Sequence, residues 1–199
     1  INFGFEKTSL GLFKNLALVH SNTFPIGINH IVKDISKVCS LNLEESEKLK
    51  RKIDFSFENN DDLFDQNSFL KKEYFINSNY RKISKTLLLK VAETRLIEIL
   101  QIIKKQINIV GINSTNSKNI TIVGGGSKLN NLDKYCSNFL KVFVNKISHK
   151  NQKEPETFQA CMGALKIIKD GWETEAIPKK ADELGKKSGI LAKIFKNRF

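Results

Sequence analysis

One junction limits the fold of this chain more than any other. The apolar run Ile120-Thr121-Ile122-Val123 meets three consecutive glycines, Gly124, Gly125 and Gly126, then Ser127, and helical spacing resumes near Asn131. Branched residues in a short run read as a buried strand. Glycine allows positive φ and close approach of another backbone. The chain therefore passes from strand through a glycine turn into a helix, which is an α/β unit. A helix N-terminus presents N–H groups that can face a ligand. The same residues equally suit a tight turn that holds nothing. No GK[ST] follows and no GxGxxG is present, so neither a P-loop nor a dinucleotide fingerprint is written here.

The flanking sequence supplies further elements. Thr8 to Phe13 and Leu16 to Phe24 read as two strands of a hairpin turning at Lys14-Asn15 and closed by Pro25. Ile31 to Val38 has helical spacing. Leu43 to Lys52 predicts a short charged helix with Asn42 as its N-cap and acids in its first turn. Ile53, Phe55 and Phe57 alternate as a strand would, Glu58 to Asp65 reads as an acidic loop, and Phe69 to Ile76 reads as a further strand. Ser84 is placed to cap the longest helix, which Gly111 would end. Val142 to Ile147 predicts a strand. Thr157 to Ile168 predicts a helix whose small residues Ala160, Gly163 and Ala164 allow close packing.

Composition narrows the function classes. The chain has 199 residues and a formal charge of +12. No apolar run approaches the roughly 20 residues that span a bilayer. The charge is uneven: Lys179 to Phe199 carries seven basic residues and two acids. The rest of the excess is spread over the body without an Arg-rich stripe, which argues against a nucleic-acid binder. Cys39, Cys136 and Cys161 are far apart and form no CxxC, so a zinc site and a disulfide scaffold are both disfavoured, and buried reduced thiols are expected. No metal-ligand cluster is legible. The first residue is Ile1, inside an apolar segment, which reads as a fragment whose upstream part is missing.

The last dozen residues, SGILAKIFKNRF, carry a separate signal. On a helix, Ile190, Leu191, Ile194, Phe195 and Phe199 share one side, and Lys193 and Lys196 fall on the other. An oily face backed by cations suits the surface of an anionic membrane. Burial of a large apolar side chain contributes about 1.5–3 kcal/mol, and each cation near anionic lipid about 1 kcal/mol. Helix ordering opposes this at about 1–2 kcal/mol per residue. One tail binds weakly and several on a polymer bind firmly. Docking of the same helix on its own domain is the competing reading. The Asp170 to Lys187 stretch, with Pro178 and Gly185, reads as a linker and favours the membrane.

Glu47 and Lys50 stand three apart in EESEKLKRK and share a helix face. They suit either a solvated charged helix or a pair that brackets a nucleoside. The order of motifs then resembles the second half of actin-like ATPases, and among these the FtsA cell-division family. The second phosphate loop of that family corresponds to Asn2 through Thr8, including Gly4 and Thr8. Its IPIGGDHITNDIA-type segment corresponds to Phe24 through Ile35, including Gly27. Its adenosine contacts fall on Glu47 and Lys50, and its adenosine glycine turn on Gly124, Gly125, Gly126 and Ser127. Ala160 to Ala164 resembles its hinge helix.

The resemblance implies an α/β fold, an actin-like (ribonuclease H-like) ATPase second domain with an inserted α+β subdomain, plus a C-terminal amphipathic helix. Residues 1–37 and 111–169 would form subdomain 2A, residues 38–110 the insert 2B, residues 170–187 a linker and residues 188–199 a membrane-binding helix. It implies ATP with Mg as cofactor, self-association into polymers, an anionic lipid membrane and the C-terminal peptide of FtsZ as partners, and no nucleic acid. Arg81, Arg95 and Lys105 are the cations that would meet that acidic peptide. The implied location is the cytoplasmic side of the inner membrane at the division site, where such a protein anchors the FtsZ ring and helps assemble the divisome. Departures fall on the phosphate side: Asn2 replaces an acid, Phe5 and Glu6 replace glycines, and Ile28 replaces another. They predict weakened phosphate binding and no catalysis by this chain alone. The alternative is an actin- or chaperone-type ATPase without a membrane role.

Overall fold

A computed structural model describes residues 1–14, 17–109, 119–146 and 159–170. Three strands, β1 (Asn2–Phe3), β2 (Thr8–Lys14) and β3 (Ala17–Phe24), form an antiparallel sheet in that order. The β2–β3 register slips between Leu12 and Phe13. The hairpin read from the sequence is therefore present; Asn15 and Leu16 lie outside the described residues.

α1 (Asn29–Cys39) follows Pro25 and Gly27, and α2 (Leu43–Lys52) follows after Ser40, which takes a left-handed φ of 50°. α2 starts where the sequence says it should. The Asn42 side chain accepts from the Glu45 N–H and the Glu45 carboxylate accepts from the Asn42 N–H, a full capping box. α3 (Lys85–Ile109) is the longest helix, and Ser84 Oγ accepts from the Leu87 N–H at its start. Its buried positions, Leu88, Ala92, Leu96, Ile99, Leu100 and Ile103, form one stripe facing the core. Gly111, expected to end it, lies outside the described residues.

β4 (Ile120–Ile122) and β5 (Val144–Lys146) pair in parallel, with α4 (Leu132–Leu140) as the crossover that parallel strands require. A parallel bridge between Asn2 and Val123 joins this pair to the first sheet. The Phe3 N–H donates to Val123 O and the Val123 N–H to Ile1 O, both at 2.9 Å. β1 therefore stands between the hairpin and β4. One continuous apolar core contains Phe3, Ile31, Ile35, Leu49, Phe55, Leu88, Leu100, Ile122 and Leu132.

Three expectations give way. Ile53 to Phe57 is not a strand: Asn60 takes both the N–H and the C=O of Asp54, and Phe57 turns back with φ at 62°. Ile53 and Phe55 alternate because they enter the core from a turn. Phe69 to Ile76 makes only isolated bridges and a short 3-10 turn, because its amides go to scattered acceptors. Residues 38–109 hence contain helices, 3-10 turns and isolated bridges but no ladder, so the strands expected of an α+β insert there do not form. Finally, α5 (Gln159–Asp170) is exposed at Cys161–Lys169 rather than closely packed, while Thr157 and Phe158 lie outside the described residues. Ala164 is exposed, and a Cβ on Gly163 would meet nothing within 4 Å. Cys39 and Cys136 are buried as expected, whereas Cys161 is exposed on α5. The linker after Asp170 and the terminal amphipathic segment lie outside the described residues.

Candidate functional site

The glycine positions singled out in the sequence converge on one junction, where the β1–β2 turn, the start of α1 and the turn after β4 meet. The reason each must be glycine is contact with neighbouring chain. A Cβ on Gly27 would stand 2.5 Å from Phe5 O and 2.6 Å from Lys7 N. One on Gly126 would stand 2.6 Å from both Phe3 Cβ and Ile28 Cγ1, and one on Gly4 would stand 2.6 Å from Lys7 O. Gly124 has φ of 84° and faces Asn2 Oδ1 and Phe3 O. Gly125, between Gly124 and Gly126, is exposed.

Two hydroxyls of the junction are also engaged inside the protein. Thr8 is buried, and its Oγ1 donates to Ile26 O at 2.7 Å. Ser127 Oγ donates to Gly124 O at 2.7 Å, closing the 3-10 turn Gly125–Lys128 on itself. The turn then runs to Asn130, whose carbonyl accepts from the Phe55 N–H, while Asn131 Nδ2 donates to Asp54 Oδ2 at 2.7 Å. These bonds tether the end of α2 to the end of the glycine turn.

On α2, Glu47 and Lys50 do lie side by side, with Lys50 Nζ 2.8 Å from Glu47 Oε1. Arg51 Nε donates to the same oxygen at 2.8 Å. Lys50 is almost fully buried. Burial opposes the charge on Glu47, but the hydrogen bonds from Lys50 and Arg51 outweigh it and hold the carboxyl below its ordinary range.

The phosphate side has a different character. The first amides of α1 already have acceptors: Ile28 N–H donates to Gly4 O, Asn29 N–H to Phe5 O, His30 N–H to Gly27 O and Ile31 N–H to Ile28 O. Glu6 stands in front of this helix end. Its Oε1 accepts from Asn29 Nδ2 at 2.7 Å, and both oxygens lie 3.1 Å from Lys33 Nζ. Bonds from Asn29 and Lys33 favour the charged carboxylate and lower the Glu6 pKa. Among the described residues no group of three His, Cys, Asp or Glu side chains could hold a metal ion. Among the described residues the first amides of α1 are thus already paired, and no acidic cluster stands beside them to hold a magnesium triphosphate.

The cations expected to meet an acidic peptide do not converge. Arg95 points its guanidinium to Asp34, with Nε at 2.6 Å and Nη2 at 3.0 Å from the carboxylate, and its Nη1 to Glu98. It thus belongs to the α1–α3 contact. Arg81 and Lys105 are exposed. Arg81 precedes α3 and Lys105 lies in its last turns; at a rise of about 1.5 Å per residue, roughly 30 Å of helix separates the two. A site not anticipated from the sequence lies elsewhere on α2. Lys48, Arg51 and Lys52 line an open cavity of about 380 Å³ with Glu73, Tyr74 and Ile76. The loop that forms its wall is held by Glu45, whose Oε1 accepts from the N–H groups of Ile76, Asn77 and Ser78 at 2.6–2.9 Å. The capping-box spacing Asn42 to Glu45 was the only local sign of that carboxylate.

Comparison with known proteins gives a consistent picture. The family model described as "Cell division protein FtsA" matches residues 1–162. A cell division protein FtsA of Agrobacterium fabrum (strain C58) is 24% identical over 132 residues, 66% of this chain and 30% of the relative. One from Rhizobium meliloti (strain 1021) is 25% identical over the same length and share. The chain therefore spans less than a third of these relatives. Among solved structures, MreB 5 of Spiroplasma citri bound to AMPPNP is similar with TM-score 0.57 and 19% identity, covering 87% of this chain and 54% of that one. A PilM-PilN type IV pilus biogenesis complex is similar with TM-score 0.51 and 16% identity, covering 88% and 45%. At these identities the structural likeness shows the actin/Hsp70-like α/β fold.

Proposed function

This chain belongs to the FtsA family of cell-division proteins, and from that premise we propose that it is part of a membrane-associated, actin-like scaffold that anchors the FtsZ ring to the cytoplasmic face of the inner membrane and helps assemble the divisome. The observation that carries the proposal is the pairing of a family-matched body with the terminal sequence SGILAKIFKNRF. Five large apolar residues and two lysines at helical spacing suit anionic lipid. Among the described residues no helix is long and apolar enough to cross a membrane; the proposed attachment is peripheral and rests on the amphipathic pattern of that segment.

Two further features support a scaffold role. β3 ends the sheet order and carries exposed Leu18 and Val19, with Phe13 exposed on β2. An apolar edge strand is a natural contact between copies in a polymer. The cations Lys48, Arg51 and Lys52 beside Tyr74 and Ile76 combine charge with an apolar floor, which suits an acidic peptide with an apolar anchor. We place the FtsZ peptide within residues 38–110 on this basis, with Arg81 and Lys105 as outlying contacts. ATP with Mg is supported by family membership alone, and Glu47 and Lys50 are the residues that would meet its nucleoside.

Flotation on anionic vesicles tests the membrane reading. The 199-residue chain should float, and removal of residues 188–199 should leave it at the bottom. Leu191→Glu should reduce the floating fraction sharply, because a charge on the oily face opposes insertion. Equal flotation of the full and shortened chains would refute the anchor.

A further inference from the structure

The phosphate end of the cleft disagrees with the triphosphate that the family implies, and that disagreement is informative. In front of α1 an anion is already present, supplied by the chain. Glu6 receives Asn29 Nδ2 at 2.7 Å and faces Lys33 Nζ with both oxygens at 3.1 Å. A helix N-terminus carries a partial positive charge that favours an anion there. The backbone closes the same junction: the amides of Ile28 and Asn29 donate to Gly4 O and Phe5 O, so the β1–β2 turn is laced to the helix end by main-chain bonds as well.

We propose that Glu6 is an internal substitute for phosphate, a specificity residue that occupies the anion position before α1, keeps this half of the cleft ordered without nucleotide, and excludes phosphoryl groups. The inference uses the family only to identify the cleft and is independent of the membrane reading. Like charges at contact distance repel, so a phosphate entering this position meets Glu6 first. Asn29 and Lys33, the two side-chain donors that could bind it, are already engaged.

The probe is inorganic pyrophosphate, titrated into the 199-residue chain at constant ionic strength and followed by melting temperature and calorimetry. The wild-type chain should show no saturable binding. Glu6→Ala releases Asn29 and Lys33 and should bind pyrophosphate saturably, at least about tenfold more tightly than the upper limit set by the wild type, the scale of one charge-assisted contact. Adding Lys33→Met to Glu6→Ala should remove the gain. Glu6→Gln keeps an acceptor for Asn29 while losing the charge; it should gain less than Glu6→Ala, and it serves as the readout if the alanine variant does not fold by circular dichroism. Pyrophosphate binding by the wild type as tight as by Glu6→Ala would overturn the proposal. So would a folded variant that gains nothing, or a gain that survives Lys33→Met. None of these outcomes bears on vesicle flotation, so the two readings fail separately.

Discussion

The Arg95 guanidinium forks onto the Asp34 carboxylate, Nε to Oδ2 at 2.6 Å and Nη2 to Oδ1 at 3.0 Å, and so pins the middle of α3 to α1. Both side chains are about three-quarters covered. Bidentate charge-assisted bonds in such a setting are stronger than exposed ion pairs. Arg95→Met should lower stability by about 1–3 kcal/mol, read by urea denaturation. Asp34→Asn should cost a similar amount, and the double variant less than the two together. Additive losses would mean that the pair is not coupled.

Glu45 offers a pH-dependent test. Burial pushes its carboxyl up, but bonds from Ser78, Asn77 and Asn42 prevail and bring it down to about 2, from the ordinary 4.5. A carboxyl depressed in the folded state stabilises the fold above its unfolded value and loses that contribution as pH falls through the folded one. The difference in stability between wild type and Glu45→Gln should therefore be constant above about pH 5 and shrink as the pH drops toward 2. At neutral pH the substitution should cost about 1–3 kcal/mol. A gap that does not change with acid would show that the loop from Ile76 to Ser78 is held by other bonds.

The three adjacent glycines should behave differently. Gly124→Ala and Gly126→Ala each put a Cβ within 3 Å of neighbouring atoms, and Gly124 adds a left-handed φ. Both should destabilise the chain by several kcal/mol or prevent folding. Gly125 is exposed, and Gly125→Ala should leave the melting temperature nearly unchanged. Equal tolerance at all three would mean that the junction with β1 is looser than its contacts imply.

Thiol labelling separates the three cysteines. Burial pushes the Cys39 thiol up to about 11 and the Cys136 thiol up to about 12, whereas Cys161 is exposed. The thiolate is the reactive form. One thiol should therefore react quickly in the native chain at neutral pH and all three after denaturation, with Cys161→Ser abolishing the fast phase. A fast phase that persists in Cys161→Ser would place one of the other two at the surface.

Much of this molecule was legible residue by residue. The start of α2 could be read from Asn42 and Glu45 because a capping box is made within four residues. The strand before Gly124 and the α3 stripe could be read because periodic apolar residues need only their own element to declare it. The segment from Ile53 to Ile76 misled for the opposite reason. Its apolar residues alternate, but its amides are claimed by Asn60, Asn130 and Glu45, which are distant in sequence or act through side chains.

What the order of residues determined alone is therefore local: which stretches curl or extend, where helices begin, and which positions resemble a known clamp for nucleotides. Three-dimensional packing decided the rest. It alone set Phe3 against Gly126, turned Arg95 inward to Asp34, and brought Glu6 beside Asn29 and Lys33. The physical reason is one of range. A cap or a periodic stripe is satisfied by neighbours along the chain, while a charge or a glycine finds its partner across it, and no spacing in the sequence encodes that distance.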